Sequence, residues 1–535
     1  MKTIRKRIFS REVILLLIVL IASFVIRWKD IETIPYGIEN DEFSWIATSL
    51  FHKHNILASE KGVWSLHDTN AQRFPVSVTI NQISFKLFGV DFLSPRKILT
   101  LIHIVSLIFF YLLARKFITG NAALLITLLY SLSAYKLIAS RIVIPNFFSE
   151  LFVYPALLLL LSINPKGIYR SFIYTFTSGT AMLLSVLTYN LAYILPIVSI
   201  ATIFFTAFCK KTRVKITILL IILFLLPLIL FYQKWLIGIN GEAADKSYAL
   251  VNRTYDLKEK RLYTNRLFGN IKTAKEQLLN SLNSSTGDMA ILFPGSLVNS
   301  WISWGFILGV IFALFNFKKY FTLIVWLLSS ALTYQIILGL LYPRMWILTV
   351  GLIYLFAGVA IDKILELGSK LKAVYILIWV MFLTSSSYII YSELSLYYRY
   401  AIYNPAFLVP HREMVNITKK WKDDIGKTVL LIIPDGITSP TNINTAHTAA
   451  SFQFLVSNSE KTTYLKEVNQ TALGVLTNQE FIENHEMYLY TKKVLIVDNT
   501  ILPEIQNKIK PYAQCNNIIN TYKYFSELSL NCNFK

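Results

Sequence analysis

Two adjacent carboxylates, Asp41 and Glu42 in the stretch NDEFSW (Asn40–Trp45), are the residues with the clearest capacity for chemistry. A carboxylate beside a hydroxyl can take its proton as that oxygen attacks an electrophile. The same pair also suits the first turn of a helix, where acids cap free N–H groups and meet the positive end of the dipole. Arg73, Arg141 and Arg344 supply guanidinium groups, which hold phosphate through paired hydrogen bonds. Singly, each arginine would serve equally as an interface anchor. His67, Asp68, Gln72 and Asp288 add polar groups in the same hydrophilic stretches. Together they suit an anionic lipid headgroup and an attacking hydroxyl. Asp41, Glu42, His67, Asp68 and Asp288 include ligand types for a divalent metal, without a spacing that specifies one.

A lipid-embedded scaffold must position these groups. Hydrophobic residues fill 54% of 535 positions and mean hydropathy is +0.50, more than a water-soluble core needs. Apolar runs near the roughly 20 residues that cross hydrocarbon predict about eleven spans. They fall near 12–27, 97–114, 121–139, 143–163, 171–188, 191–208, 214–232, 299–316, 321–341, 345–364 and 373–391. The net charge of +21 raises the question of nucleic acid. The basic clusters at 2–11, 115–116, 166–170, 210–215, 318–319 and 363–372 all fall on one side if the first span runs outward, whereas the short outer joints hold Lys136, Arg141 and Arg344. That is positive-inside asymmetry, so the charge encodes topology and excludes a nucleic-acid partner. The first run lacks a small-residue cleavage site after Ile26 and reads as a retained helix, with the amino terminus cytoplasmic.

Residues 1–391 form the predicted membrane domain. Both long excursions, 28–96 and 233–298, lie on the outer face, and loops of that length carry structure or function. Phe43, Ile46, Ala47 and Leu50, then Val76, Ile80, Ile83 and Leu87, keep helical spacing and predict two amphipathic surface helices. Ionisable groups inside the spans are scarce. His103 and Glu150 are the exceptions, each a candidate either for substrate contact or for pairing between helices. Residues 392–535 read as an extracytoplasmic α/β domain, with strands at Thr428–Asp435 and Lys493–Thr500 and a helix over Leu502–Ile509. Lacking a phosphate loop, it is expected to be structural or acceptor-binding. Cys515 and Cys532 fall in this outer tail, where a disulfide is permitted.

NDEFSW, then QRFP (Gln72–Pro75) and ISFKLFGVDFLSPRKILTLI (Ile83–Ile102), resemble the first outer loop of the GT-C glycosyltransferases related to protein O-mannosyltransferases and the aminoarabinose transferase of lipid A. SRIVIPNFF (Ser140–Phe148), LTYNLAYILP (Leu187–Pro196), GDMAILFPGS (Gly287–Ser296) and LYPRMW (Leu341–Trp346) continue the resemblance in order over the membrane domain. It implies a polyprenyl-phosphate-linked sugar as donor, a lipid, glycan or protein as acceptor, inversion, and transfer at the outer face of the plasma membrane. On that pattern Asp41 is the base, with Glu42 beside it, and Arg73, Arg141 and Arg344 face the donor phosphate. His67, Asp68, Gln72, Glu150, Tyr189 and Asp288 are then the substrate-facing set. Phe74 stands where the family has a proline, and Met345 where it has a tyrosine. A transporter or lipid flippase, expected to show internal repeats and midplane sites, and a non-catalytic scaffold are the competing classes.

This topology predicts that cysteines substituted at positions 41 and 288 react with an impermeant maleimide added from the same side of the membrane. Labelling from opposite sides would break the proposed site apart.

Overall fold

In the computed structural model the described residues are 2–31, 42, 45, 46, 49, 75–89, 93–164, 167–188, 195–210, 212–238, 297–336, 347–369, 371–403, 429–433, 475–479, 481–483, 494–499, 501–510, 517–522 and 525–529. The chain divides into two compact units, one of residues 1–31, 73–77 and 96–400, the other of 32–72, 78–95 and 401–535.

The first unit is helical. Its elements are α1 (Lys2–Trp28), the start of α2 (Pro75–Phe88), most of α3 (Leu93–Ala114), α4 (Gly120–Ser131), α5 (Ala134–Ala139), α6 (Glu150–Leu161), α7 (Ile168–Val186), α8 (Leu195–Cys209), α9 (Val214–Gly238), α10 (Ser300–Phe315), α11 (Phe317–Ile336), α12 (Ile347–Gly368) and α13 (Lys372–Tyr403). A helix satisfies its own backbone polar groups, which is what lipid demands. Leu93–Ala114, Ile347–Gly368 and Lys372–Arg399 are long and apolar enough to cross a membrane alone, and α4, α8, α10 and parts of α6 and α9 are shorter apolar helices. The protein is therefore built for a bilayer. α12 is central, enclosed over 83% of its apolar window, and α13 is peripheral, enclosed over 11%. Exposed Ile14, Leu17, Ile18, Ile21 and Val25 on α1 show the same apolar outward face.

Small residues allow the tightest crossings. On α10, Gly305 and Gly309 are four apart; a Cβ on Gly309 would stand 1.8 Å from the carbonyl oxygen of Phe356 on α12, and one on Gly305 would stand 3.2 Å from the Ala357 Cβ. Gly179 on α7 admits α9 in the same way, its absent Cβ falling 2.2 Å from Phe224 O. Close backbone approach through small residues is how helices associate without a hydrophobic driving force.

Two expected spans depart from simple rods. The run 121–139 is broken between Ser131 and Ala134, and 143–163 starts with a 3-10 turn, Pro145–Phe148, before α6. Serine competition for backbone carbonyls explains the first break: Ser131 Oγ donates to Leu128 O (2.8 Å) and Ser133 Oγ to Tyr130 O (2.9 Å), while Ser133 Oγ also accepts from Lys136 N at 3.3 Å. α13 runs to Tyr403, so the expected boundary at 391/392 falls within a helix.

In the second unit, the helical positions Glu42, Trp45, Ile46 and Ser49 are buried. Asn81 Nδ2 on α2 donates to Ser49 Oγ (3.0 Å) and Gln82 Nε2 to Ser49 O (3.1 Å). A five-stranded sheet comprises β1 (Val429–Ile433), β2 (Val475–Thr477), β3 (Val494–Asp498), β4 (Asn517–Thr521) and β5 (Phe525–Ser529), in order β2-β1-β3-β5-β4. β1 is parallel to β2 and β3; β5 is antiparallel to β3 and β4. Helix α14 (Leu502–Ile509) packs Ile505 and Ile509 on Ile432, Leu495, Val497 and Leu528. Cys515 and Cys532 lie outside the described residues.

Replacing Gly309 by leucine would wedge α10 from α12 and should cost at least about 1–3 kcal/mol, read as an earlier thermal transition in detergent. Gly305→Ala, whose added methyl meets the Ala357 methyl at 3.2 Å and needs that neighbour to give by a few tenths of an ångström, should be milder. Equal stability of both variants would refute this packing.

Candidate functional site: a buried charged cluster at the helix ends

Of the sequence-predicted site residues, Glu42, Arg141 and Glu150 lie among the described ones. Asp41, His67, Asp68, Gln72, Arg73, Tyr189, Asp288 and Arg344 lie outside them. Glu42 is buried in the second unit, and Arg141 and Glu150 are buried in the first.

Arg141 and Glu150 belong to a cluster where α1 ends and the run α4–α6 is broken. α1 stops at Trp28, and Asp30 then turns into the left-handed region (φ 56°), leaving carbonyls that no helix N–H reaches. The Arg141 guanidinium takes them: it donates to Ile26 O (2.8 Å), Asp30 O (3.2 Å) and Lys29 O. Tyr397 on α13 is a further neighbour, its ring centre 5.4 Å from Cζ, an arrangement that favours a cation.

Arg27 repeats the device in the opposite sense. From the last turn of α1 it donates to Ser131 O at the carboxyl end of α4 (2.6 Å), as well as to Ser23 O (3.2 Å) and Ser23 Oγ. At the start of α5, Glu393 of α13 accepts from Ala134 N at 2.7 Å. One turn of α13 separates Glu393 from Tyr397, so a single face of that helix touches both ends of the 134–141 segment.

Glu150 opens α6 and is wholly enclosed. Lys136 Nζ pairs with its Oε2, and Tyr130 and Tyr154 donate hydroxyls to its Oε1, the latter at 2.8 Å. His103 Nδ1 stands 3.6 Å from the same carboxylate, without hydrogen-bond geometry among the described residues. The Lys136 ammonium also lies 5.1 Å from the Tyr130 ring centre. Lys136 thus does not face water as a loop lysine; Glu150 neutralises it. Its weight as an outer-side charge falls away, and the asymmetry of basic residues becomes steeper.

Arg27, Lys136, Glu393, Tyr130 and Tyr397 escaped the sequence reading as site members. Lys136 and Glu150, opposite charges in neighbouring apolar runs, were the one available signal. Arg27, Arg96, Lys136 and Arg141 are all buried, against the carboxylates Glu150 and Glu393. Among the described residues, no group of three or more His, Cys, Asp or Glu side chains is placed to hold a metal. Glu42 is the single expected ligand among them.

No family profile and no curated relative matches the sequence. Solved structures do. ArnT from Cupriavidus metallidurans bound to undecaprenyl phosphate aligns with TM-score 0.53 over 98% of each chain at 11% identity. The fold is therefore the one this ArnT structure shows. The Archaeoglobus fulgidus oligosaccharyltransferase in its apo form aligns at TM-score 0.53 and 11% identity over 96% of this chain and 74% of its own. The same organism's AglB in complex with an inhibitory peptide and a dolichol-phosphate aligns at 0.51 and 12% identity over 98% and 75%. A complex of that enzyme with Zn and sulfate aligns at 0.52. At such low identity the likeness is one of backbone architecture, with chemistry to be argued from residues.

Breaking the Lys136–Glu150 pair from one side strands a buried charge. Lys136→Met or Glu150→Leu alone should each lower stability by about 3–5 kcal/mol, and the two combined should restore much of it. Thermal unfolding of the four proteins in one detergent checks this; additive losses would dissolve the pair as a unit.

Proposed function

We propose that the protein is a glycosyltransferase that moves a sugar from a polyprenyl-phosphate donor to a lipid, glycan or protein hydroxyl at the outer face of the plasma membrane. The observation that carries this reading is the GT-C fold shared along 98% of both chains with ArnT bound to undecaprenyl phosphate. The amino terminus is cytoplasmic in this proposal, and about eleven spans carry the outer loops and the carboxyl-terminal region to the same side.

The chemistry is a single displacement. Asp41 takes the proton of the acceptor hydroxyl, its oxygen bonds to the anomeric carbon, and the bond from that carbon to the phosphate oxygen breaks with inversion. The electron pair leaves on the polyprenyl phosphate, whose charge Arg73 and Arg344 stabilise. Glu42 lies next to the base. His67, Asp68, Gln72, Tyr189 and Asp288 are assigned to sugar and acceptor recognition. Arg141 keeps its place at the phosphate end through its charge, three of its N–H groups being engaged by carbonyls at the end of α1 and in the turn after it; Glu150 acts by fixing Lys136 and α6. A divalent metal, for which Asp41, Glu42, His67, Asp68 and Asp288 supply ligand types, would add charge stabilisation at the phosphate.

The test uses purified protein in nanodiscs with a panel of polyprenyl-phosphate sugars. Asp41→Asn should lower turnover about 10²- to 10⁴-fold at unchanged donor KM, whereas Arg73→Gln and Arg344→Gln should raise donor KM. Chelation with EDTA separates metal-assisted from metal-free chemistry. Wild-type turnover by Asp41→Asn would remove that residue from the mechanism, and absence of any donor consumption across the panel would remove the reaction.

A further inference from the structure

At one end of the helical unit the joints between helices are tied to one another by side chains. Thr119 N and Oγ1, ahead of α4, donate to Asp362 Oδ1 near the end of α12 at 3.0 and 2.5 Å. Phe117 of the same joint stacks on Tyr320 of α11, with ring centres 6.4 Å apart. Phe205 near the end of α8 stacks on Phe321 of α11 at 3.8 Å. Lys210, just past α8, donates to Ile163 O beyond the end of α6. This is the end that the proposed topology turns to the cytoplasm.

Its acids are few and committed. Across the segments 1–12, 114–120, 161–170, 209–215, 315–320 and 361–372 the sequence places Glu12, Asp362 and Glu366 and no other acid. Glu12 accepts from the Tyr111 hydroxyl at 3.0 Å and pairs with Arg115 at 3.4 Å. Asp362 is held by Thr119, and Glu366 bonds Lys363 at 2.5 Å. The bases are left over. The side chains of Lys116 and Lys319 are exposed and make no hydrogen bond or ion pair among the described residues. Lys319 lies over the Tyr320 ring, 5.0 Å from its centre, so it adjoins the stacked pair that Lys116 adjoins through Phe117. Lys210 gives one N–H to Ile163 O and has two left. Burial, and then the charge of Lys116 beside it, holds the Lys210 ammonium below its ordinary range. Like charges gathered in this way call for a counter-charge, and the chain has none to spare here.

The surroundings select the source of that charge. Phe208 on the last turn of α8 and Phe317 at the start of α11 are exposed next to Lys210 and Lys319, and present ring surface where the chains of a lipid begin. A free anion would leave those rings uncovered, whereas a phospholipid brings a phosphate for the ammonium groups and hydrocarbon for the rings. Basic pockets between helix ends bind anionic headgroups by this combination. We propose that Lys116, Lys210 and Lys319 form a binding site for the headgroup of an anionic phospholipid, whose chains run over Phe208 and Phe317. The site belongs to the helical unit alone and stands whether or not the transferase reading holds.

The experiment titrates the purified full chain in a neutral detergent with phosphatidylglycerol and reads bound lipid by native mass spectrometry, with phosphatidylcholine of the same chains and glycerol 3-phosphate as controls. The protein should retain phosphatidylglycerol, with an affinity that falls as salt rises, and neither control at the same concentration. One lysine at an anionic lipid surface is worth about fivefold in affinity, so Lys116→Gln with Lys319→Gln should weaken binding about 25-fold, and Lys210→Gln added to them about 100-fold. The first two side chains cap no helix, so that double variant keeps the test decisive if Lys210→Gln, which also frees Ile163 O, folds poorly. Arg170→Gln with Lys372→Gln, exposed bases at the same end but outside the cluster, should leave the affinity unchanged. Three results overturn the proposal: equal retention of either control, wild-type affinity after Lys116→Gln with Lys319→Gln, or an equal loss from Arg170→Gln with Lys372→Gln. The last would make the attraction a diffuse one of the whole basic face.

Discussion

A helix that stops inside a membrane protein exposes backbone groups where no water can reach them, and this constraint organises the first unit. The chain breaks its apolar runs at Trp28, at Ser131 and ahead of Glu150. Each break frees N–H or carbonyl groups whose desolvation costs several kcal/mol in hydrocarbon. Arg141 covers the end of α1, Arg27 the end of α4, and Glu393 the start of α5. Lys136 and Glu150 then close the account of charge within the segment itself. The helix breaks and the buried charges are one feature, since neither is tolerable without the other.

That feature explains which parts of the structure were legible. Hydropathy averages over a span, so all the apolar runs announced themselves, and helices stand at each of them. Val76, Ile80, Ile83 and Leu87 likewise gave α2, because an amphipathic stripe is local information. The two β runs and the α14 segment were readable for the same reason. The breaks within 121–163 were not. Ser131 meets an arginine 104 positions earlier, Ala134 a glutamate 259 positions later, and Arg141 a backbone 112 positions away. Nothing in a local window distinguishes a serine that ends a helix from one that rides on it. Lys136 was counted among the basic residues of the outer joints and Arg27 was not singled out, because an isolated basic residue at a span end ordinarily snorkels to the interface; only the third dimension shows their partners.

The candidate chemistry divides in the same way. Asp41, Arg73 and Arg344 were singled out by residue type and motif order, which carry no information about depth or distance. Arg141 was singled out on the same grounds, and its hydrogen bonds to α1 give it a definite structural task. A likeness of fold at 11% identity is compatible with this. The architecture depends on apolar length, small-residue crossings such as Gly309 on Phe356 and closed helix ends. Many sequences meet those demands.

Capping and electrostatics are not rival roles for the arginines. A guanidinium that gives N–H groups to carbonyls keeps its full charge, because no proton moves and the acceptors are dipoles. Those dipoles offset part of the field at close range, whereas the unit charge prevails at greater distance. Arg27 and Arg141 therefore remain sources of positive potential after satisfying α4 and α1, and Tyr397 faces the second of them through the negative face of its ring. Fixing a cation by backbone carbonyls also removes its rotamer freedom in advance. A charge held in this way exerts its field on an approaching phosphate without the ordering cost that a solvent-exposed arginine would meet.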